Sequence, residues 1–266
     1  MSERSSQVEG SGSSARSASL SPSYGKGDRD AFGVDELAIV LSHYDLGTID
    51  AIQEFPRGSR RAPKLLLRTD KGIYLLKRRA RGKDDPFKVA FCHSIQLHLA
   101  AQQFPLPHLI GTKSENNSML QWKGGIYEAF EYIRGTGYDN SLEATHDAGK
   151  TLGLFHKLLH GFEPEYEPSK GSYHAARTVQ ASMEQVPRTL EKMDSRVADE
   201  VKRVNEIVAF MQQSYNQAAQ KVNEIGMMDW PMQIIHSDWH PGNMIFRGSR
   251  VVAVIDYDAA RMQQRV

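Results

Sequence analysis

From Val34 to Leu41 the run VDELAIVL sets apolar residues at helical spacing and predicts a short helix. Two apolar runs come next, Leu65 to Leu67 and Ile73 to Leu76. The turn signal Thr69-Asp70-Lys71-Gly72 between them predicts an antiparallel pair. Residues 87–104 return to near-helical spacing through Val89, Ala90, Ile95, Leu97, Leu99 and Ala100, until Pro105 and Pro107 end the pattern. Met119 to Trp122 and Ile126 to Tyr132 read as two more strands around Lys123-Gly124-Gly125. The front of the chain therefore predicts a small antiparallel sheet with a helix.

Gly135 and Gly137 break the pattern, and beyond them the chain turns helical. His146 to His160 carries Ala148, Leu152, Phe155, Leu158 and Leu159 on one face, and Val197 to Val222 repeats apolar residues at three- and four-residue steps. Residues 161–190 are poorly periodic and predict no element. The expected architecture is α+β, with a front lobe over 31–133 and a mainly helical back lobe over 134–266. Residues 1–30 are Ser/Gly-rich with scattered charge, lack the apolar surface to offset ordering, and read as a disordered tail.

Composition narrows the choice of partner. Of 266 residues, 33 are Lys or Arg and 32 Asp or Glu, so no basic field draws nucleic acid or an anionic membrane, and a small-molecule partner is expected. No apolar run reaches the roughly 18 residues of a membrane span, and no apolar stretch succeeds the early arginines as a secretory signal needs. With a lone cysteine, Cys92, which reads as a buried apolar residue, the expectation is a cytoplasmic protein.

The chemistry concentrates near the end. Ile234 and Ile235 lead into His236-Ser237-Asp238-Trp239-His240-Pro241-Gly242-Asn243, then Met244 to Phe246, a Gly248-Ser249 turn, and Val251 to Ile255 ending on Asp256-Tyr257-Asp258. This reads as strand, polar loop, hairpin, acid, and it brings Asp238, Asn243 and Asp256 side by side. Phosphoryl transfer needs such a set: a carboxylate to take the proton of an attacking hydroxyl, and hard oxygen ligands for Mg²⁺ on the phosphates. Asp238 fits the first role, Asn243 and Asp256 the second. His236, Asp238 and His240 also alternate as ligands of a zinc or iron site could, but the Pro-Gly-Asn continuation and the later Asp-x-Asp suit magnesium and phosphate better.

The segment HSDWHPGN with the later IDYD resembles the aminoglycoside phosphotransferase and choline kinase-like family, small-molecule kinases distantly related to protein kinases. The resemblance implies a protein-kinase-like two-lobed fold with a nucleotide-binding front lobe. It implies transfer of the γ-phosphate of Mg-ATP, or GTP, to a hydroxyl of an aminoglycoside, amino alcohol or homoserine. Asp238 becomes the catalytic base, Asn243 and Asp256 the Mg²⁺ ligands, His236 an organiser of the loop, and Asp258 a supporting acid. Upstream, Lys77 at the end of Tyr74-Leu75-Leu76 matches the family's phosphate-holding lysine. Ser59 in Arg57-Gly58-Ser59-Arg60 falls at its phosphate-covering turn, and Glu131 to Ile133 fall where its interlobe hinge binds adenine. The glutamate that pairs with the lysine has no counterpart in 87–104, where Gln96 is nearest the expected place. The stretch around His98-Leu99-Ala100 and Pro105-Leu106-Pro107 is similar to the homoserine-kinase-like branch. Relatives continue as helices beyond the metal-binding acid whereas this chain ends at Val266, so a C-terminally incomplete back lobe is expected. The alternative expectation is an inactive nucleotide-binding pseudokinase or a fragment.

Overall fold

A computed structural model describes residues 29–169, 171, 174–190 and 198–265. Apart from its last two residues, the tail expected over 1–30 lies outside them. Helix α1 (Val34–Ser42) begins with two acids, Asp35 and Glu36, at its positive end. Glu36 Oε2 accepts from Gly33 N at 3.0 Å, and its Oε1 accepts from Arg78 Nη1 at 2.6 Å and the Tyr127 hydroxyl at 2.8 Å. One carboxylate thus caps the helix and ties it to the sheet.

The sheet contains β1 (Ile49–Glu54), β2 (Lys64–Thr69), β3 (Gly72–Arg78), β4 (Leu109–Ile110), β5 (Leu120–Trp122) and β6 (Gly125–Glu131). They run β1-β2-β3-β6-β4 with β5 also on β6, every pair antiparallel. Thr69 to Gly72 and Lys123 to Gly125 form the expected turns. At the second, Lys123 and Gly124 both take positive φ, 46° and 75°, a conformation open to glycine and costly to most residues. β1 and β4 are additions to the expected strands: β1 is almost wholly exposed and its IDAIQE carries little apolar signal.

Helix α2 (Pro86–Ala101) starts where Asp85 accepts from the N–H groups of Phe87 and Lys88, with Pro86 in the first turn, and it ends short of Pro105. Its inner residues do not serve the sheet alone. Val40, Tyr44, Leu46, Leu65, Leu67, Leu76, Tyr127 and Ala129 form one core between α1 and the sheet. Phe91, Cys92, Ile95 and Leu99 of α2 instead join Phe155, Leu159, Ile234, Phe246, Val254 and Tyr257 in a second core, in the back lobe.

The back lobe holds α3 (Leu142–Leu158), capped by the Ser141 hydroxyl on Ala144 N at 3.1 Å, then α4 (Arg177–Leu190) and α5 (Ala198–Glu224). α4 lies in the stretch that predicted nothing. Its apolar Val179, Met183 and Val186 make a single stripe in an otherwise polar helix that packs on α5. Strand β7 (Met232–Ile235) pairs with β10 (Arg261–Gln264), and β8 (Met244–Arg247) forms a hairpin with β9 (Arg250–Val254). The link from β6 crosses to this hairpin through an antiparallel bridge of Thr136 with Phe246. There Gly135 lies so close to Ile245 and the Phe246 carbonyl that a Cβ would collide with both. Among the described residues no helix is long and apolar enough to cross a membrane.

Candidate active site

β7 delivers the chain to His236, and the loop after it is built by its own hydrogen bonds. Ser237 takes a left-handed φ of 65° and turns the chain outward. His240 caps a short 3₁₀ turn, Pro241–Asn243, its Nδ1 accepting from Gly242 N at 3.0 Å. A Cβ on Gly242 would stand 2.7 Å from that ring, so a larger residue there would displace the His240 cap. Asn243 Nδ2 donates to the Asp238 carbonyl at 3.0 Å and to Asp238 Oδ2 at 2.8 Å, which orients the half-exposed carboxylate.

The loop is then fastened to the end of β9. Ile255 N donates to the Asn243 carbonyl at 2.9 Å, and His236 Nε2 donates to the Ile255 carbonyl at 3.2 Å. Burial holds the His236 imidazole below its ordinary pKa, so it is neutral with its proton on Nε2. With Ile255 held through both its N–H and its carbonyl, the next residue, Asp256, emerges exposed one position past the backbone partner of Asn243, at φ 66°. Aspartate tolerates this left-handed conformation better than most residues. Beneath the loop, Phe155 of α3 is fully buried among the rings of Phe104, His236, Trp239 and Tyr257, with centroids 5.8–6.4 Å away.

A 3₁₀ turn, Tyr257–Ala259, carries Asp258 to the face of the sheet. Asp258 Oδ2 lies 3.3 Å from Lys77 Nζ and Oδ1 lies 2.8 Å from Arg79 Nη2. Both cations also meet Glu128 of β6: Lys77 at 3.5 Å on Oε2 and Arg79 at 2.8 Å on Oε1. His93 of α2 places Nε2 2.7 Å from the same Oε1. Burial alone would raise the Glu128 carboxyl, but Lys77, His93 and Arg79 together hold it well below the usual carboxylate range. Burial likewise would lower the Lys77 ammonium, and Glu128 and Asp258 outweigh it, leaving the pKa raised. Of the consecutive cations Lys77, Arg78 and Arg79, the first and third point into this network, and Arg78 turns to Glu36 and the Phe32 ring.

The structure thus gathers Asp238, Asn243, Asp256 and His236 in one constellation and joins Lys77 to Asp258 in a second, linked through the segment 256–258. Ser59 and Glu131 make other contacts. Ser59 sits in the loop between β1 and β2, its hydroxyl accepting from Arg61 N at 3.3 Å, at the end of the sheet where Lys64 pairs with Lys77. Glu131 faces His108 at 3.3 Å, and Ile133 lies half-buried just past the end of β6. Glu128, Arg79 and His93 carry the electrostatics and went unread in the sequence. The available signal was a glutamate at an inward position of a strand flanked by Tyr127 and Ala129.

A two-lobed body with an antiparallel sheet in front, helices behind, and the loop 236–243 with the acids Asp256 and Asp258 at their junction is the protein-kinase-like arrangement of α+β elements. Solved structures share it. The chain superposes on an amicoumacin kinase in complex with AMP-PNP, Ca²⁺ and Ami with a TM-score of 0.62 at 11% identity, covering 88% of this chain and 66% of that one. The corresponding values for a spectinomycin phosphotransferase with ADP and spectinomycin are 0.62, 16%, 88% and 71%. The chain belongs to the phosphotransferase enzyme family, whose model matches residues 52–266. Among curated proteins it is 24% identical over 232 residues to a homoserine kinase of Sinorhizobium medicae, covering 84% of this chain and 62% of that protein. It is 26% identical over 230 residues to the homoserine kinase of Zymomonas mobilis, covering 84% and 64%. The chain thus spans under two thirds of the length of these relatives.

Proposed function

We propose that this protein transfers the γ-phosphoryl group of a magnesium-bound nucleoside triphosphate to the hydroxyl of a small molecule. The observation that carries the reading is the fastening of the Asp238–Asn243 loop to the end of β9 through Ile255, which sets an oriented carboxylate beside a pair of oxygen donors. The nucleotide would lie between a front lobe over 31–133 and a back lobe over 134–266, its base near Glu131 to Ile133 and its phosphates under the loop that holds Ser59.

The donor set suits Mg²⁺. With its amide nitrogen committed to Asp238, Asn243 would offer its side-chain carbonyl oxygen, and Asp256 adds an exposed carboxylate, both hard oxygen ligands. The bound ion would neutralise phosphate charge as it shifts in the transition state. Asp238 accepts the proton of the attacking hydroxyl, held in register by the Asn243 amide. Lys77 reaches the phosphates from the sheet, and Asp258 balances its charge. His236 moves no proton; it fixes the loop on Ile255. Homoserine is the first acceptor to try, given the curated relatives, then amino alcohols and aminoglycosides.

Calorimetry of Mg-ATP and Mg-GTP binding to the wild-type chain and to Asp256→Asn, with a coupled assay of nucleoside diphosphate release over these acceptors, tests the reading. Magnesium-dependent binding that Asp256→Asn abolishes, with acceptor-dependent turnover, is expected. Failure to bind either nucleotide overturns the proposal, and binding without turnover on any acceptor reduces the site to nucleotide capture.

A further inference from the structure

We propose that Glu128 on β6 is the residue that positions Lys77 for the nucleotide phosphates, so that the lysine is aimed by its own sheet rather than by α2. The inference rests on the phosphotransfer reading and goes beyond it by assigning the anchor of the lysine. Lys77 and Glu128 are register partners of the antiparallel pair β3–β6, and directly opposed residues project on the same face. Arg79, just past the end of β3 and two residues beyond Lys77, shares that face. Its guanidinium takes Glu128 Oε1 at 2.8 Å, and His93 takes the same oxygen at 2.7 Å while its Nδ1 meets Ser118 Oγ at 2.8 Å.

The two carboxylate oxygens therefore divide their work. Oε1 is anchored by Arg79 and His93. Oε2 is buried and, among the described residues, has no hydrogen-bond partner; the cation it faces is the Lys77 ammonium, 3.5 Å away. The carboxylate is fully buried and cannot swing, whereas the Lys77 side chain retains 16% exposure and reaches the junction with Asp258.

An ammonium has three protons. Asp258 accepts one at 3.3 Å, the buried Glu128 charge 3.5 Å away holds the ammonium from the sheet side, and donors remain for a phosphate oxygen. A lysine stem ordered before the nucleotide arrives does not lose that freedom on binding. Helix α2, PFKVAFCHSIQLHLAA, holds no acid that could do this from the helix, and its buried His93 reaches Lys77 only through Glu128.

The test is a double-mutant cycle on the full chain, reading Mg-ATP affinity and the KM for ATP in wild type, Lys77→Met, Glu128→Gln and the double variant, with the melting temperature of each. Glutamine keeps the shape of Glu128 and still accepts from Arg79. The expected result is a rise in KM for ATP of roughly tenfold to a hundredfold in both single variants, the range of a lost charged hydrogen bond, with no further rise when Glu128→Gln is added to Lys77→Met. Should Glu128→Gln fail to fold, Glu128→Asp keeps the charge and withdraws it from Lys77, and the same pattern is expected. A structural role alone would lower the melting temperature and raise KM equally in the presence and absence of Lys77, which overturns the inference. No ATP binding by wild type overturns this and the phosphotransfer reading together, whereas binding that responds to Lys77→Met and not to Glu128 overturns this one alone.

Discussion

Replacing Phe155 with alanine should cost about 5 kcal/mol of stability and loosen the catalytic loop. An aromatic side chain buries on the order of 200 Å², most of it beyond Cβ, worth roughly 3–4 kcal/mol at about 25 cal/mol per Å². The space left is walled by Phe104, His236, Trp239 and Tyr257, rings that collapse poorly into a hole, and the cavity adds about 1–2 kcal/mol. Urea unfolding monitored by circular dichroism would show the loss as a lower midpoint at unchanged slope. Because His236 and Trp239 rest on this ring and His236 holds the loop on Ile255, both turnover and magnesium-dependent ATP affinity should fall. Phe155→Leu keeps most of the bulk and should recover more than half of the stability. A loss under about 1.5 kcal/mol in the alanine variant would refute the account, since that is well below the range for emptying a packed aromatic site.

Arg79→Met strips Glu128 and Asp258 of a buried shared partner and should cost about 3–5 kcal/mol in the same assay, with part regained when Glu128→Gln is added. The Glu128 carboxyl is more acidic folded than unfolded, so its stabilisation is complete above the unfolded value near roughly 4.3 and drains as pH falls below it. Acidification from pH 5 to pH 3 should therefore lower the melting temperature of wild type more than that of Glu128→Gln, and equal slopes would contradict the depressed carboxyl. Burial pushes the Cys92 thiol up to about 12. An aromatic disulfide reagent should leave the native chain almost unmodified and titrate one thiol after denaturation.

Short-range patterns carried the elements that are local in sequence. The turns at Asp70 and Gly124 and the loop-hairpin-acid run from His236 to Asp258 are each specified by residues within about ten positions of one another. β1 escaped because an exposed edge strand has no apolar period, and α4 because one stripe of Val179, Met183 and Val186 is diluted by polar residues and Pro187. Glu128 was hidden for a different reason. Its partnership with Lys77 depends on the register between strands some fifty residues apart, which no local pattern encodes. The same holds for α2, whose apolar residues announce a helix without saying which core receives them.

That divided allegiance bears on how the molecule would breathe. A helix whose Phe91, Ile95 and Leu99 are sunk in the rear core cannot travel with the sheet without opening that core, and the strap at Gly135 is pressed on Phe246. The least constrained part is then the outer blade of β1 and β2, since β3 and β6 are tied to α2 and to the rear turn through His93, Glu128, Lys77, Arg79 and Asp258. Hydrogen exchange should report it: nucleotide would slow exchange in β1 and β2 and leave α2 nearly unchanged, and strong protection gained in α2 would mean that the helix rides with the blade instead.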